Sequence, residues 1–375
     1  MKNTLPIIII GAALLCSCEK RFELHPENYS NMIRLECVAD ADNDSVYVFP
    51  SLCVPTQVTL RDRNSTPPSL ELTELGMEVD GQMRQAVRTE YKELVTVYDE
   101  YPLDGEWQPP HQEWVTRYRW AIPGSVPEGA GLKVKASAVG TEPVYGETVV
   151  PAKPQIGVTC TPYEYTEGFG DDKWTTQYLK VKIDVTDKAN DTGYYALQIM
   201  QKRRYVRQYT DEGKELGLQD VDETTLYSTT PEKINESTFD DMESDSGITL
   251  GYDGYRLSYY YSGPLCIYKS AEIDGQEMYI RVNPDYIVTG NPLVIKNESR
   301  TEYQVRLFRI SQEVFRYAKA YNLEGNELSE AGLAPVNFTY SNIIGGSGYF
   351  GSFTCAESGW IENPFVMETE EGRYY

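Results

Sequence analysis

The sequence predicts an all-β protein of two β-sandwich-like domains, the first immunoglobulin- or fibronectin-III-like, with one helix packed in the second. Three observations lead there. Short runs of alternating apolar and polar residues recur between turn-forming residues, which is the pattern of half-buried strands. One segment alone carries a convincing helical period. No internal repeat and no alternation of strand with helix calls for a solenoid or a parallel α/β sheet.

The chain opens MKNTLPIIIIGAALLCSCEK. Lys2 precedes an apolar run over 5–15, the layout of a secretory signal peptide. That run is too short for a bilayer, which needs about twenty apolar residues. It ends in Leu15-Cys16-Ser17-Cys18, which resembles a bacterial lipobox. The resemblance implies removal of residues 1–17 and lipid attachment at Cys18, whose thiol is the nucleophile that diacylglyceryl transfer needs. Residues 18–30, polar with one proline, read as a tether.

Residues 31–152 read as the first sandwich. Predicted strands at 32–37 and 45–49 flank Asp40, Asp42 and Asp44, spaced like the opening of a calcium loop. The sixth position is Ser45 rather than Gly and the twelfth is Ser51 rather than a bidentate Glu, so a polar hairpin loop is expected and no metal. Residues 76–79 followed by Asp80-Gly81 carry the hairpin signal. Residues 114–120 are β-prone and 132–139 alternate strictly. "VVPAKPQI", with Pro151 and Pro154, reads as the linker to a second β-rich domain over 153–375.

That domain has strand patterns at 178–185, 194–199, 278–282, 302–307 and 336–340. The acidic, Ser/Thr-rich stretch 211–250 reads as loop or weak hairpins. A helix is predicted over 311–322: Ser311 can cap it, Val314, Phe315, Ala318 and Tyr321 share one face, and Gly325 stops it. Beyond it, Gly346, Gly348 and Gly351 spell the G-x-G-x-x-G spacing of dinucleotide sites. That chemistry needs a helix after the glycines and an acid about twenty residues on. Here 352–355 is β-like instead, so the glycines are expected to serve a strand-to-strand bend or a close backbone approach. Ile343, Ile344 and Phe350 are expected to be buried around them.

Composition limits the chemistry. The formal net charge of −23 repels phosphate backbones, so nucleic acid is not an expected partner. Lys202-Arg203-Arg204 with Arg207, flanked by Tyr205 and Tyr209, reads either as an anion-binding ladder or, more plainly, as the solvated face of an edge strand. The cysteines after Cys18 are far apart and form no C-x-x-C. Cys37 and Cys53, on neighbouring predicted strands, are the candidate disulfide, and two unpaired buried thiols fit equally well. The two histidines, His25 and His111, have no triad motif around them. A carboxylate pair leaves no readable spacing, so catalysis is unsupported and neither cofactor nor metal is expected.

Several ordered motifs resemble a Bacteroidetes lipoprotein family, domain of unknown function 4249. "FTYSNIIGGSGYFGSF" is similar to its closing signature, through Ser341-Asn342-Ile343, Gly346, Gly348, Phe350 and Gly351. "VRLFRISQEVFRYAKAY" resembles the helix before that signature, and "GLKVKASAVGTEPVYGETVVP" its strand, turn and closure. "YLKVKIDVTDKANDTGYYALQI" resembles the second-domain opening, and "IRLECVADADNDSVYVF" the first hairpin, with Cys37 where Gly is usual. The resemblance implies an outer-membrane lipoprotein encoded beside a TonB-dependent receptor, facing either side of that membrane. It carries over no catalytic or binding residue.

The expected function is therefore a lipid-anchored accessory that captures a glycan or peptide at such a receptor. Among 30 Tyr and 5 Trp, the segments "YDEYPLDGEWQPPHQEW" and "YDGYRLSYYYSG" concentrate rings, so Trp107, Trp114, Tyr259 and Tyr260 are candidate ligand contacts. Ordinary strand aromatics explain any one of them as well. A structural or assembly role, adhesin- or filament-like, is the alternative, and a carboxylate hydrolase ranks last.

Overall fold

The computed structural model describes residues 31–53, 70–97, 111–169, 172–186, 193–229, 231, 248–250, 265–269, 275, 277–324 and 340–370. Ahead of the expected linker come β1 (Met32–Asp40), β2 (Ser45–Cys53), β3 (Leu72–Val79), β4 (Gln82–Gln85), β5 (Val87–Val97), β6 (His111–Pro123), β7 (Gly131–Ala138) and β8 (Val144–Val149). Next are β9 (Ile156–Phe169), β10 (Asp172–Val185), β11 (Tyr194–Tyr209), α1 (Asp211–Glu215), β12 (Val221–Thr229), β13 (Ile248–Leu250) and β14 (Leu265–Lys269). The remainder is β15 (Glu277–Arg281), β16 (Asp285–Thr289), β17 (Val294–Ile310), α2 (Gln312–Glu324), β18 (Ser347–Glu357), β19 (Ile361–Glu362) and β20 (Val366–Glu370). The all-β, sandwich-like expectation holds, as does a helix beginning next to Ser311.

Period-two patterning accounts for the strands. In β1, Ile33, Leu35, Cys37 and Ala39 are buried while Met32, Arg34 and Glu36 are only half-covered. Asp80 (φ 46°) and Gly81 (φ 84°) both adopt the left-handed conformation, which the two-residue turn between β3 and β4 requires.

One thirteen-stranded sheet dominates, in the order β13-β14-β11-β17-β18-β1-β2-β6-β5, with β12 on β11, β16 and β19 on β17, and β20 on β16. Two small sheets, β4-β3-β7-β8 and β15-β10-β9, complete the architecture. The first buries Met77, Val134 and Leu132 against Ile33, Leu35 and Phe350. The second buries Leu179, Val181 and Ile280 against Leu197, Val305 and Leu307. Leu307 pairs with Ala356, an even number of residues from Phe350, so both small sheets cover the same face of the large one. The opposite face carries α2, whose Val314, Phe315 and Ala318 meet Ala196, Phe308 and Phe353.

The two sandwiches share that large sheet. β18 runs parallel to β1, from Arg34↔Ser347 to Asp40↔Phe353, so main-chain pairing crosses the sequence boundary near 151–155. Because β18 is covered on both faces, it is buried at nearly every position and shows no alternation.

Four local expectations change. Ser311 precedes α2, but its hydroxyl accepts the Ser352 N–H (3.2 Å) and so ties the helix to β18. Residues 211–229 hold α1 and β12 instead of loop, and the Thr210 hydroxyl caps α1 by accepting the Gly213 N–H (3.3 Å). The Lys202–Arg207 run is not on an edge: β11 pairs there with β12 on one side and β17 on the other. The Cys37–Cys53 disulfide is not formed, and both thiols are free. Cys37 lies opposite Val48 and Cys53 opposite Met32, five residues apart along the hairpin, or about 16 Å, well past disulfide reach. The strand expected at 336–340 falls almost wholly outside the described residues.

Candidate functional site

β11 and β17 run on past α2, and there their outward positions change from apolar to charged. Lys202, Arg204 and Val206 on β11 and Glu298, Arg300 and Glu302 on β17 face the same side as α2. β12 adds Asp222 and Thr224, while Asp285, Glu362 and Asn363 close the far side. Together they line a cleft of about 820 Å³. The turn through α1 fixes β12 in place: Asp220 accepts the Tyr209 N–H (2.9 Å) and pairs with Lys214 (2.9 Å).

Charges in the cleft are cross-linked. Arg204 donates to both oxygens of Asp222 (2.9 and 2.7 Å), and this bond holds the Asp222 carboxyl below its ordinary range. Lys202 pairs with Glu302 and lies 4.4 Å from the Trp360 ring centroid. Glu298 pairs with Lys296 of its own strand at 2.7 Å and meets Arg300 only at 3.8 Å. Asp285 is buried and accepts the N–H (2.8 Å) and hydroxyl (2.7 Å) of Thr301. Burial pushes its carboxyl upward, yet those bonds occupy both oxygens. A general acid must reach a substrate, and the lining acid with a raised pKa is instead tied to Thr301.

Of the sequence-predicted contacts, Trp114 is described and 67% exposed. It lies on β6 of the β5–β6 pair, at the opposite end of the strand order from the cleft. Trp107, Tyr259, Tyr260, Cys18 and His25 lie outside the described residues. His111 opens β6 opposite Val97. Asp40, Asp42 and Asp44 belong to the β1–β2 turn, where Asp42 pairs with Lys153 (2.7 Å) and accepts the Cys355 N–H (3.2 Å). Among the described residues, no His/Cys/Asp/Glu group is placed to hold a metal.

The glycine motif is structural. Gly348 has φ 102°, and a Cβ there would strike the Leu35 carbonyl of β1. A Cβ on Gly346 would strike Ile33, and one on Gly351 would strike Val314 of α2. The bend itself is made by Gly345 (φ 81°). Asn342 closes the motif by accepting the Phe350 N–H (2.8 Å) and donating to the Phe350 carbonyl (2.8 Å), as a paired strand would. Gly348 and Gly351 lie within strand β18, so no helix follows the glycines to offer its amino end to a pyrophosphate. Ile343 and Phe350 are buried, but Ile344 is 56% exposed because its backbone pairs with Tyr145 and turns its side chain outward.

A family model described as domain of unknown function (DUF4249) matches residues 64–358. The chain belongs to the DUF4249 family. No curated protein and no solved structure matches it. The DUF4249 match contains the cleft floor on β11, β12 and β17 and the whole glycine motif. It leaves out β1, which completes the large sheet beside β18, and the rim residues Trp360, Glu362 and Asn363. The cleft was missed from sequence although a signal was present. Glu298, Arg300 and Glu302 alternate at period two with the buried Ser299, Thr301 and Tyr303, and Lys202 and Arg204 keep the same period on β11.

Proposed function

We propose that this protein is a lipid-anchored cell-envelope binding protein of Bacteroidetes, held at the outer membrane through Cys18. In this reading it works beside a TonB-dependent receptor in nutrient uptake and catalyses no reaction itself. The observation that carries it is the open charged cleft at the far end of the shared sheet. β1 begins directly after the tether, and the path from Ser347 along β18 and onward in the same direction along β17 to Arg300 covers roughly 50 Å of strand. In this reading the hydrogen-bonded sheet would hold a ligand site clear of the membrane, which suits capture and hand-over.

Affinity capture of the full-length lipoprotein from detergent-solubilised native membranes should bring down a TonB-dependent receptor. Cys18→Ala should leave the protein as precursor or release it to the soluble fraction. Normal processing and membrane partition of that variant, or capture without any receptor, would sink this reading.

The assembly alternative has one observation in its favour: β5 ends the strand order of the large sheet. Arg88, Glu90 and Lys92 alternate along it, and such charges discourage pairing of edges between molecules. Binding is therefore the better reading.

A further inference from the structure

The cleft floor contains two like-charge pairs that ordinary strand packing avoids. Arg204 lies directly across from Arg300, and Glu302 directly across from Glu362. Like charges in directly opposed positions destabilise a sheet. Internal ion pairs relieve this only in part. Arg204 is satisfied by Asp222, whereas Arg300 reaches Glu298 only at 3.8 Å, Glu298 already holds Lys296 at 2.7 Å, and Asp285, which attracts Arg300 from the neighbouring strand, gives both its oxygens to Thr301. Lys202 neutralises Glu302, so Glu362 leaves that row of the cleft with a net negative charge. The two rows are two residues apart on one face, a separation of about 7 Å.

The two seats, one for an anion and one for a cation, lie between different strand pairs, so one strand spacing of about 4.8 Å adds sideways and sets them about 8 Å apart, close to the reach of an extended dipeptide and its end groups at about 3.3–3.6 Å per residue. We propose that the cleft binds short peptides by their termini, the carboxylate between Arg204 and Arg300 and the ammonium between Glu302 and Glu362. Arginine's fork of N–H donors matches a carboxylate, and two acids share the three protons of an ammonium. Trp360, whose ring packs against Lys202, borders the ammonium end. The cleft volume of about 820 Å³ leaves room for side chains of many sizes, so selection rests on the termini. A polyanionic glycan fits poorly, because acids stand on both sides of the arginine pair: Asp222 and Glu298 on one, Glu302 and Glu362 on the other.

This inference rests on the cleft being a binding site, and its test separates from the receptor capture. Calorimetric titration of the detergent-solubilised full-length protein would use dialanine, N-acetyl-dialanine, dialanine amide and digalacturonic acid. Dialanine is expected to bind, and blocking either terminus to weaken binding by about tenfold or more, the scale of one lost charge-assisted bond. Arg300→Ala should weaken dialanine by a similar factor while no longer distinguishing it from its amide. Glu362→Gln should abolish the preference over the N-acetyl form. Thermal melting checks that both variants are folded. Absence of dialanine binding, equal binding of blocked and free forms, unchanged affinity in both folded variants, or binding of digalacturonic acid in its place would overturn the proposal. If receptor capture succeeds while dialanine fails, the peptide assignment alone is wrong; the reverse result removes only the receptor.

Discussion

Strands β11 and β17 have two halves with the same pairing and opposite surroundings. At Tyr194–Leu197 against Leu307–Ile310 the outward side chains, Ala196 and Phe308, are fully buried under α2. At Lys202–Val206 against Glu298–Glu302 the same face is open and carries Arg204, Arg300 and Glu302. The inward face changes too: Leu197, Ile199, Tyr303 and Val305 form a core under β10 and β15, whereas past them the inward positions are the buried Ser299 and Thr301 on β17 and the exposed Arg203 on β11. Backbone pairing thus supplies one rigid frame, and the cover placed over it decides whether a position is core or site.

Substitutions in the two halves should differ most. Phe308→Ala removes a fully buried ring facing Phe353 at 5.6 Å and is expected to cost about 3–5 kcal/mol. Arg300→Ala, in the open half, should stay within about 0.5 kcal/mol. Urea unfolding with matched m-values measures both. Equal losses would mean that the open half is packed as tightly as the covered one, and the contrast would break.

The covered half also depends on β18 fitting against β1, and Gly348 tests that contact. Gly348→Val forces a β-branched residue into φ 102° and drives its Cβ onto the Leu35 carbonyl. Backbone strain and overpacking each cost about 1–3 kcal/mol, so a loss of about 2–6 kcal/mol is expected. NAD or ATP should leave the melting temperature of either form unchanged. A ligand-induced rise that the substitution abolishes would restore the nucleotide reading of the motif.

Local pattern makes much of this legible. Alternation in β1, β7 and β10 and the helical face of Val314, Phe315 and Ala318 depend on near neighbours, so the sequence exposes them directly. The parallel return of β18 to β1 joins residues more than three hundred positions apart, and no local period encodes such a pairing. The Lys202–Arg207 run misleads for the same reason. Charges on a strand look like edge protection until the strands on both sides, β12 and β17, are known. Ile344 looks like core because it is apolar, whereas its one-bridge pairing with Tyr145 fixes which way it points. The cleft is written as alternating charge, but its two like-charge pairs exist only in the register between strands.

The smallest effect separates a sealed carboxyl from an open one by pH. Asp40, at the end of β1, is buried, and burial pushes its pKa from 3.8 up to about 6, against hydrogen bonds from the Asp42 N–H and the Asn43 side chain. Asp222, in the cleft, moves the other way because Arg204 holds its charged form. The native state therefore keeps a proton on Asp40 that the unfolded chain releases near pH 4. Stability from this group is fully present below the unfolded pKa and is lost as pH rises through about 6, by at most about 3 kcal/mol for a shift of roughly two units. Asp222 has the opposite sign: its contribution is present above the unfolded pKa and fades as pH falls through the lowered value, and because it is exposed the change should be slight. Asp42 and Lys153, which face Asp40 across the turn, pair with each other, and their opposite pulls on Asp40 leave burial as the larger influence. Asp40→Asn should flatten the fall in unfolding free energy between about pH 4 and 6.5, whereas Asp222→Asn should leave it in place. If Asp40→Asn keeps the wild-type slope, the buried carboxyl is not the group that titrates there, and the contrast between sealed and open acids fails at that position.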